Sequence, residues 1–140
     1  VRRDAGRVHV TLANVGSGHG FPAGPKDLVS YWLEYRWNSK GSHSSWKRGG
    51  PKSLFKHILM DKDGNAMTGH KIWKVAHVKG PDMIRPGQER EYSFDSVPLN
   101  NNAHMEVRLM HRRFSDRSLQ KRLENSDTYV DAIEILRARE

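Results

Sequence analysis

The chain has 140 residues, the usual size of one domain and too few for two comfortable ones. Only 36% of the residues are hydrophobic, yet 4 Trp, 4 Tyr and 4 Phe supply large apolar surfaces that disordered chains lack, so we expect one folded domain with polar loops. Because there is no cysteine, disulfides, zinc ribbons, thiol nucleophiles and a Cys-x-x-Cys-His haem attachment are excluded within these residues.

The formal net charge is +8, which predicts attraction to polyanions, acidic proteins or anionic lipid headgroups without choosing among them. No segment approaches the roughly 18 apolar residues that indicate a membrane span. The sequence opens with Val1 rather than Met and lacks an apolar signal-peptide core there, so we expect a mature or excised piece of a longer polypeptide.

The N-terminal part alternates between strand patterns and loop signals. Apolar residues at every second position predict a strand over Arg7–Leu12. Glycines and prolines then interrupt any ladder or helix, so residues 16–25 are predicted to form an irregular but ordered loop. Alternation returns in Leu28–Trp37, the predicted central strand, although Trp32 interrupts its polar side. The Ser-, Gly- and Lys-rich residues 38–52 are predicted to be a long exposed loop.

Recognisable turns join the strands predicted in the middle of the chain. Leu54–Met60 and Lys71–Val78 flank an Asp-Gly step, which favours a hairpin. The Pro-Gly pair of residues 84–88 fits the two middle positions of a type II turn. That turn leads into another alternating segment, predicted as a strand over Glu91–Asp95.

The C-terminal part begins with a predicted strand over Ala103–Arg112, in which Met110 interrupts the polar side. Ser115–Glu124 is predicted as a short helix, because Ser115 can cap its first turn and two leucines lie four residues apart. Residues 129–139 suit a helix or a strand, and we favour a closing strand. About seven short strands with little helix predict one all-β domain, an antiparallel two-layer β-sandwich that is Ig-like or jelly-roll-like.

An ordered set of motifs resembles a pattern found in multihaem c-type cytochromes. Residues 14–24, Asn-Val-Gly-Ser-Gly-His-Gly-Phe-Pro-Ala-Gly, and the strand segment Tyr31–Tyr35 are similar to a signature of the β-sandwich (non-haem) module associated with those proteins. Further segments of the resemblance follow in the same order: residues 61–65, 70–73, 84–87 and 107–114. The resemblance therefore spans residues 8 to 114.

The resemblance implies a module of an exported multihaem cytochrome assembly, in a periplasmic or extracellular setting. Those cytochromes carry electron transfer on Cys-x-x-Cys-His motifs, which this chain lacks. We therefore expect the sandwich without redox chemistry: haem c would lie on an adjoining segment or a separate subunit, and the module would pack against that polypeptide. The sequence contains no nucleophile elbow, phosphate loop or paired His-Glu motif, so we expect no enzymatic activity.

Three residues are candidates for contact with a partner's haem. Imidazole is a good iron ligand, and a loop between strands can present His19 to a haem in trans, as a contact or an axial ligand. The same Gly-His-Gly-Phe-Pro context also favours a His that hydrogen-bonds to backbone and fixes the loop. His70 and Trp73 can brace a haem edge or a neighbouring subunit, although a core Trp beside a hydrogen-bonded His is the commoner arrangement.

Asp61, Asp63 and Asn65 place oxygen ligands at alternate positions, like the start of a calcium loop. An EF-hand needs Gly at its sixth position and Glu at its twelfth, where this chain has Ala66 and Ile72. We therefore favour a hairpin turn over a metal site.

Basic side chains form two candidate partner surfaces. The first surrounds Trp46, the large apolar residue of the 38–52 loop, and the second belongs to the predicted helix. Their members are Lys47, Arg48 and Lys52 in the first, and Arg113, Arg117 and Lys121 in the second. Such surfaces can dock an acidic cytochrome or can be ordinary solvated faces. The alternative function is a basic binding module for a polyanion, such as a nucleic acid or an acidic polysaccharide.

Overall fold

A computed structural model of the chain describes residues 1–4, 6–26, 28–39, 42–67, 71–95, 103–112 and 133–139. Within these ranges the chain forms eleven strands, all paired antiparallel. In chain order they are β1 (Arg2–Asp4), β2 (Arg7–Ala13), β3 (Ser30–Ser39), β4 (Ser42–His43), β5 (Lys47–Arg48), β6 (Leu54–Lys56), β7 (Ile58–Met60), β8 (His77–Lys79), β9 (Glu89–Asp95), β10 (Ala103–Arg112) and β11 (Ile133–Arg139). Short 3-10 turns occupy Pro51–Ser53 and Ile72–Lys74.

The strands form three sheets. The smaller of the two main sheets has the order β1-β2-β9. The larger has the order β11-β10-β3-β4, and the short strands β5 and β6 also pair with β3. β7 and β8 make a separate two-stranded sheet.

The two main sheets pack face to face over one core. Alternate residues of a strand point to the same side, so each strand gives every second side chain to the interior. The buried cluster contains Val8, Val10, Leu33, Trp37, Phe55, Tyr92, Phe94, Met105, Val107 and Leu109. Because these residues come from β2 and β9 on one side and from β3, β6 and β10 on the other, the predicted antiparallel all-β class is confirmed.

Trp32 and Met110, the two apolar residues that interrupt the polar side of their strands, lie next to each other in the larger sheet. They are register partners across β3 and β10. Both are buried, with 3% and 7% exposure, and each precedes or follows a core residue, so they lie on the face of the larger sheet that points away from the core. Register partners share a face, and the two apolar side chains therefore lie side by side.

Several predicted strands are confirmed at their expected positions. Arg7–Leu12 extends by one residue in β2, and Ala103–Arg112 coincides with β10. The closing strand is confirmed over Ile133–Arg139. Residues 129–132 and the predicted helix Ser115–Glu124 lie outside the described residues.

Three predicted segments need correction. Leu54–Met60 is not one strand, because β6 pairs with β3 in the larger sheet and β7 pairs with β8. The 38–52 segment is not an unbroken loop, because β4 and β5 pair with β3 and satisfy backbone groups along its edge. Lys71–Val78 is not one strand, because Ile72–Lys74 forms a 3-10 turn and only β8 pairs with β7. The cause is the register: Met60 lies opposite His77, so all the residues between them belong to the connection.

Candidate interaction site: the His19 loop

Asn14 anchors the loop formed by residues 14–24, which we call the His19 loop. Its side chain is buried, and Nδ2 donates hydrogen bonds to the carbonyl oxygen of His19 at 2.8 Å and of Ile84 at 2.9 Å. A primary amide has two N–H donors, so both are used. The Asn14 backbone adds two more bonds: its N–H donates to the Gln88 oxygen, and its oxygen accepts from the Gly87 N–H, both at 2.9 Å.

A second anchor joins the loop to the turn that follows Ile84. The Phe21 N–H donates to the Ile84 oxygen at 2.9 Å, and the Ile84 N–H donates back at 2.8 Å. The predicted turn is present: the Gln88 N–H donates to the Arg85 oxygen at 2.9 Å, and Gly87 has a φ of 76°. The loop and the Ile-Arg-Pro-Gly segment, two parts of the resemblance described above, are therefore in direct contact.

Aromatic side chains hold the C-terminal half of the loop. The Phe21 ring packs edge-on against Tyr31 and Phe55, with centroids 5.0 and 5.3 Å apart. The Tyr31 hydroxyl donates to the Ala23 oxygen at 2.9 Å. Burial raises the pKa of Tyr31, so the phenol remains a protonated donor at neutral pH. The ring of His111 stacks on Tyr31 at 4.6 Å.

His19 itself is exposed at the surface of this anchored loop. Its Nδ1 lies 3.2 Å from the Gly20 oxygen, so the predicted hydrogen bond to backbone is present. A carbonyl oxygen only accepts, so this contact requires the proton on Nδ1, and a neutral ring in that tautomer has its lone pair on Nε2. No described residue hydrogen-bonds to Nε2. This is the form in which histidine ligates a metal, with the other ring nitrogen fixed by a hydrogen bond.

Two further apolar residues of this region were not singled out by the sequence. Val15 is 80% exposed and Met83 is 47% exposed. A Cβ on Gly20 would lie 2.7 Å from the Met83 Cε, so the missing side chain makes room for Met83. The surface near His19 is thus partly apolar. The sequence signal for this partly apolar surface is weak: Val15 stands next to the Gly-rich motif.

Trp73 does not occupy the place that the sequence predicts. It is 73% exposed, so its assignment to the core is wrong. Trp73 belongs to the 3-10 turn in the connection between β7 and β8, whose sheet is separate from the two main sheets. His70 lies outside the described residues. A role for either residue in contact with haem stays a prediction.

The Asp61–Asn65 segment is a turn, as favoured above. Asp61 Oδ1 accepts from the N–H groups of Asp63 and Asn65, both at 2.9 Å. These hydrogen bonds, the one from Asn65 first, lower the pKa of Asp61. Across the described part of the chain, no group of three or more His, Cys, Asp or Glu side chains is placed to hold a metal ion.

Two members of the first basic surface, Trp46 and Arg48, make cation–π contacts within the chain. The guanidinium groups of Arg36 and Arg108 lie 4.6 and 4.0 Å from the centre of the Trp46 ring, and Arg48 lies 4.3 Å from that of Trp32. These are cation–π contacts.

An ion-pair layer lies on the outer face of the larger sheet. Arg36 pairs with the buried Glu106 at 2.7 Å, and Arg108 pairs with Glu34 at 2.7 Å. Trp46 is therefore a cover for this layer. Lys47 and Lys52 are exposed, whereas Arg113, Arg117 and Lys121 lie outside the described residues.

These features define an antiparallel β-sandwich with an anchored, surface-facing histidine loop. Its fold is similar to that in the crystal structure of a penta-heme cytochrome c552 from Thermochromatium tepidum, with a TM-score of 0.69 and 13% sequence identity. The match covers 99% of this chain and 37% of that chain, so this chain spans little more than a third of the cytochrome's length. At this identity the likeness concerns the fold. No family model and no curated protein matches the sequence.

Among the described residues, no helix has the length and apolar character needed to cross a membrane.

Proposed function

We propose that this chain is a non-catalytic structural and interaction module of an exported multihaem cytochrome assembly. It packs against haem-bearing polypeptide and supports electron transfer that takes place elsewhere. The observation that carries the proposal is the fold match over 99% of this chain to a stretch that makes up 37% of a penta-heme cytochrome c552. The ordered sequence motifs point to the same class of protein, and the chain has no cysteine to attach haem covalently.

In this proposal the haem-bearing polypeptide and this chain have different roles. Haem c on the adjoining segment or partner subunit supplies the redox chemistry. This chain supplies a fixed surface, in which Asn14 and the Ile84 turn hold the His19 loop in place. His19 fits contact with a partner's haem, since Nδ1 is tied to Gly20 and Nε2 is left with the lone pair. The setting is periplasmic or extracellular.

Mixing the purified chain with a haem-bearing polypeptide, a purified multihaem c-type cytochrome from the same organism, tests the proposal. The chain alone should show no Soret band, and the mixture should co-elute in size-exclusion chromatography with covalent haem in the complex. Failure of the two polypeptides to associate would refute the proposed function.

A Soret perturbation on mixing tests the role of His19 separately. His19→Ala should remove the perturbation, whereas His43→Ala, at another exposed histidine on β4, should leave it unchanged. A complex that forms with identical spectra for the wild type and His19→Ala would reject haem contact through His19 while leaving the docking role in place.

Polyanion binding is the second candidate, favoured by the net charge of +8 and the exposed Lys47 and Lys52. It ranks lower because Trp46 and Arg48, two members of the same surface, already make cation–π contacts inside the chain. A polyanion binder should take up a heparin oligosaccharide or single-stranded DNA with an affinity that falls steeply as salt rises, and His19→Ala should not alter it.

A further inference from the structure

The β7–β8 ribbon, meaning the described residues from 58 to 79, exposes large apolar side chains. Its two strands form a sheet of their own, separate from the two main sheets. Ile58 is 43% exposed, Ile72 54%, Trp73 73% and Val78 43%. Scattered single hydrophobic residues on a surface need no explanation, but a concentration of them on one two-stranded element points to an interaction site.

The apolar residues lie on both faces of the ribbon. Ile58 is the register partner of Lys79, and Leu59 is the register partner of Val78. Register partners share a face and successive residues alternate, so Ile58 and Val78 point to opposite faces. A flat surface, whether a bilayer or another protein, covers one face of a ribbon. Only a cleft covers both.

The described part of the ribbon carries a small positive charge. Four lysines (Lys62, Lys71, Lys74 and Lys79) stand against Asp61 and Asp63, a net charge of +2, and residues 71–79 contain no acidic residue. Two of these lysines flank the two most exposed apolar residues of the ribbon, Ile72 and Trp73. A complementary cleft therefore has an apolar floor and an acidic rim. Tryptophan is among the residues that most often dominate the binding energy of an interface.

We propose that the ribbon inserts into an acidic-rimmed apolar cleft of the haem-bearing polypeptide, with Trp73 as the anchor. The inference rests on the proposed function and names the surface by which the module docks. Lys71, Lys74 and Lys79 steer the approach, and the apolar side chains of both faces are buried in the complex.

Affinity and rate measurements with the haem-bearing polypeptide test this docking mode. Trp73→Ala should raise the Kd about 30-fold or more, as expected for an interface hot spot. Leu54→Ala is the matched control, since Leu54 is 39% exposed on β6, outside the ribbon. Lys74→Glu should slow association more than Lys47→Glu, which makes the same change in net charge at an exposed site on β5.

A pair of variants separates a cleft from a flat surface. Ile58→Ser and Val78→Ser lie on opposite faces of the ribbon, and both should weaken binding. Weakening by only one of the two would overturn insertion into a cleft. Circular dichroism should confirm that each variant keeps the wild-type fold.

The remaining outcomes distinguish failure of this inference from failure of the proposed function. If the wild-type chain does not bind the haem-bearing polypeptide, the proposed function fails. If it binds and Trp73→Ala binds equally well, the ribbon is not the docking surface and only the inference fails. Vesicles of phosphatidylglycerol and phosphatidylcholine provide the lipid test: uptake that depends on Trp73, with binding of the haem-bearing polypeptide unaffected, would also overturn the inference.

Discussion

Substitution of Asn14 should destabilise the domain, and Asp should be worse than Ala at this position. Asn14→Ala removes both N–H donors, so the carbonyl oxygens of His19 and Ile84 lose partners at 2.8 and 2.9 Å. The Ile84 oxygen keeps the Phe21 N–H and the His19 oxygen keeps the Ser17 hydroxyl, so neither carbonyl is left without a donor. Each lost hydrogen bond is then worth about 0.5 to 1.5 kcal/mol, which gives a total of about 1 to 3 kcal/mol. Asn14→Asp keeps the shape, but a carboxylate would face two carbonyl oxygens, and a buried charge without a donor adds a further penalty.

Urea unfolding followed by tryptophan fluorescence at pH 7 measures these differences. The midpoint should decrease in the order wild type, Asn14→Ala, Asn14→Asp, with an unchanged slope if the unfolded state is the same. Asn65→Ala is the matched control, because its exposed amide makes a 3.4 Å contact with Asp61, and it should stay within about 0.5 kcal/mol of the wild type.

Acidification provides a second check on the same variant. Protonation of the introduced Asp restores one donor, so the gap between Asn14→Asp and Asn14→Ala should narrow as the pH falls. If Asn14→Asp is as stable as Asn14→Ala at pH 7, the donor role assigned to the Asn14 amide is incorrect.

Three other perturbations address the ion-pair layer, the turn and the pH response. Glu106→Gln should cost about 2 to 4 kcal/mol, because Arg36 loses the charge of a fully buried partner 2.7 Å away; an unchanged urea midpoint would contradict this. Gly87→Ala should lower the free energy of unfolding by about 1 kcal/mol, because Gly87 has a φ of 76°, where a Cβ is strained. Gly50→Ala, at a φ of −63°, should lower it less. Equal effects on the urea midpoint would argue against backbone strain at Gly87. Burial lowers the pKa of His57, so the unfolded state binds more protons than the folded state, and the free energy of unfolding should fall as the pH drops below about 6.5. His57→Gln should reduce this dependence of stability on pH. An unchanged dependence would show that His57 is not its source.

The sequence predicted the elements whose signals are local. Alternation of apolar and polar residues located β2 and β10, and the Pro-Gly pair located the turn before β9. Period-two alternation reports which side chains share a face, so it also predicted the main core. It does not report what covers the other face. Trp32 and Met110 break the alternation of their strands, and only the register of β3 and β10 shows that they lie side by side.

The features that escaped prediction depend on contacts between distant residues. Asn14 bonds to Ile84, and nothing within either segment indicates that pairing. Trp73 was assigned to the core because tryptophan is usually buried, but its position follows from the register of β7 and β8, which composition does not encode. The His19 motif and the Ile84 motif are both parts of the resemblance, but their contact is seen only in the hydrogen bonds of the structure.

In the His19 loop, the atoms that anchor it to the sandwich differ from the side chains that form its exposed surface. Its anchors are inward-facing: the Asn14 amide and the backbone of Phe21. Its outer surface includes Val15, which is 80% exposed, and Gly18, where an added Cβ would meet no atom within 4 Å. Substitutions at these two outer positions therefore change the surface of the loop without removing its anchors, so under the proposed function the choice of partner could change while the sandwich keeps its stability.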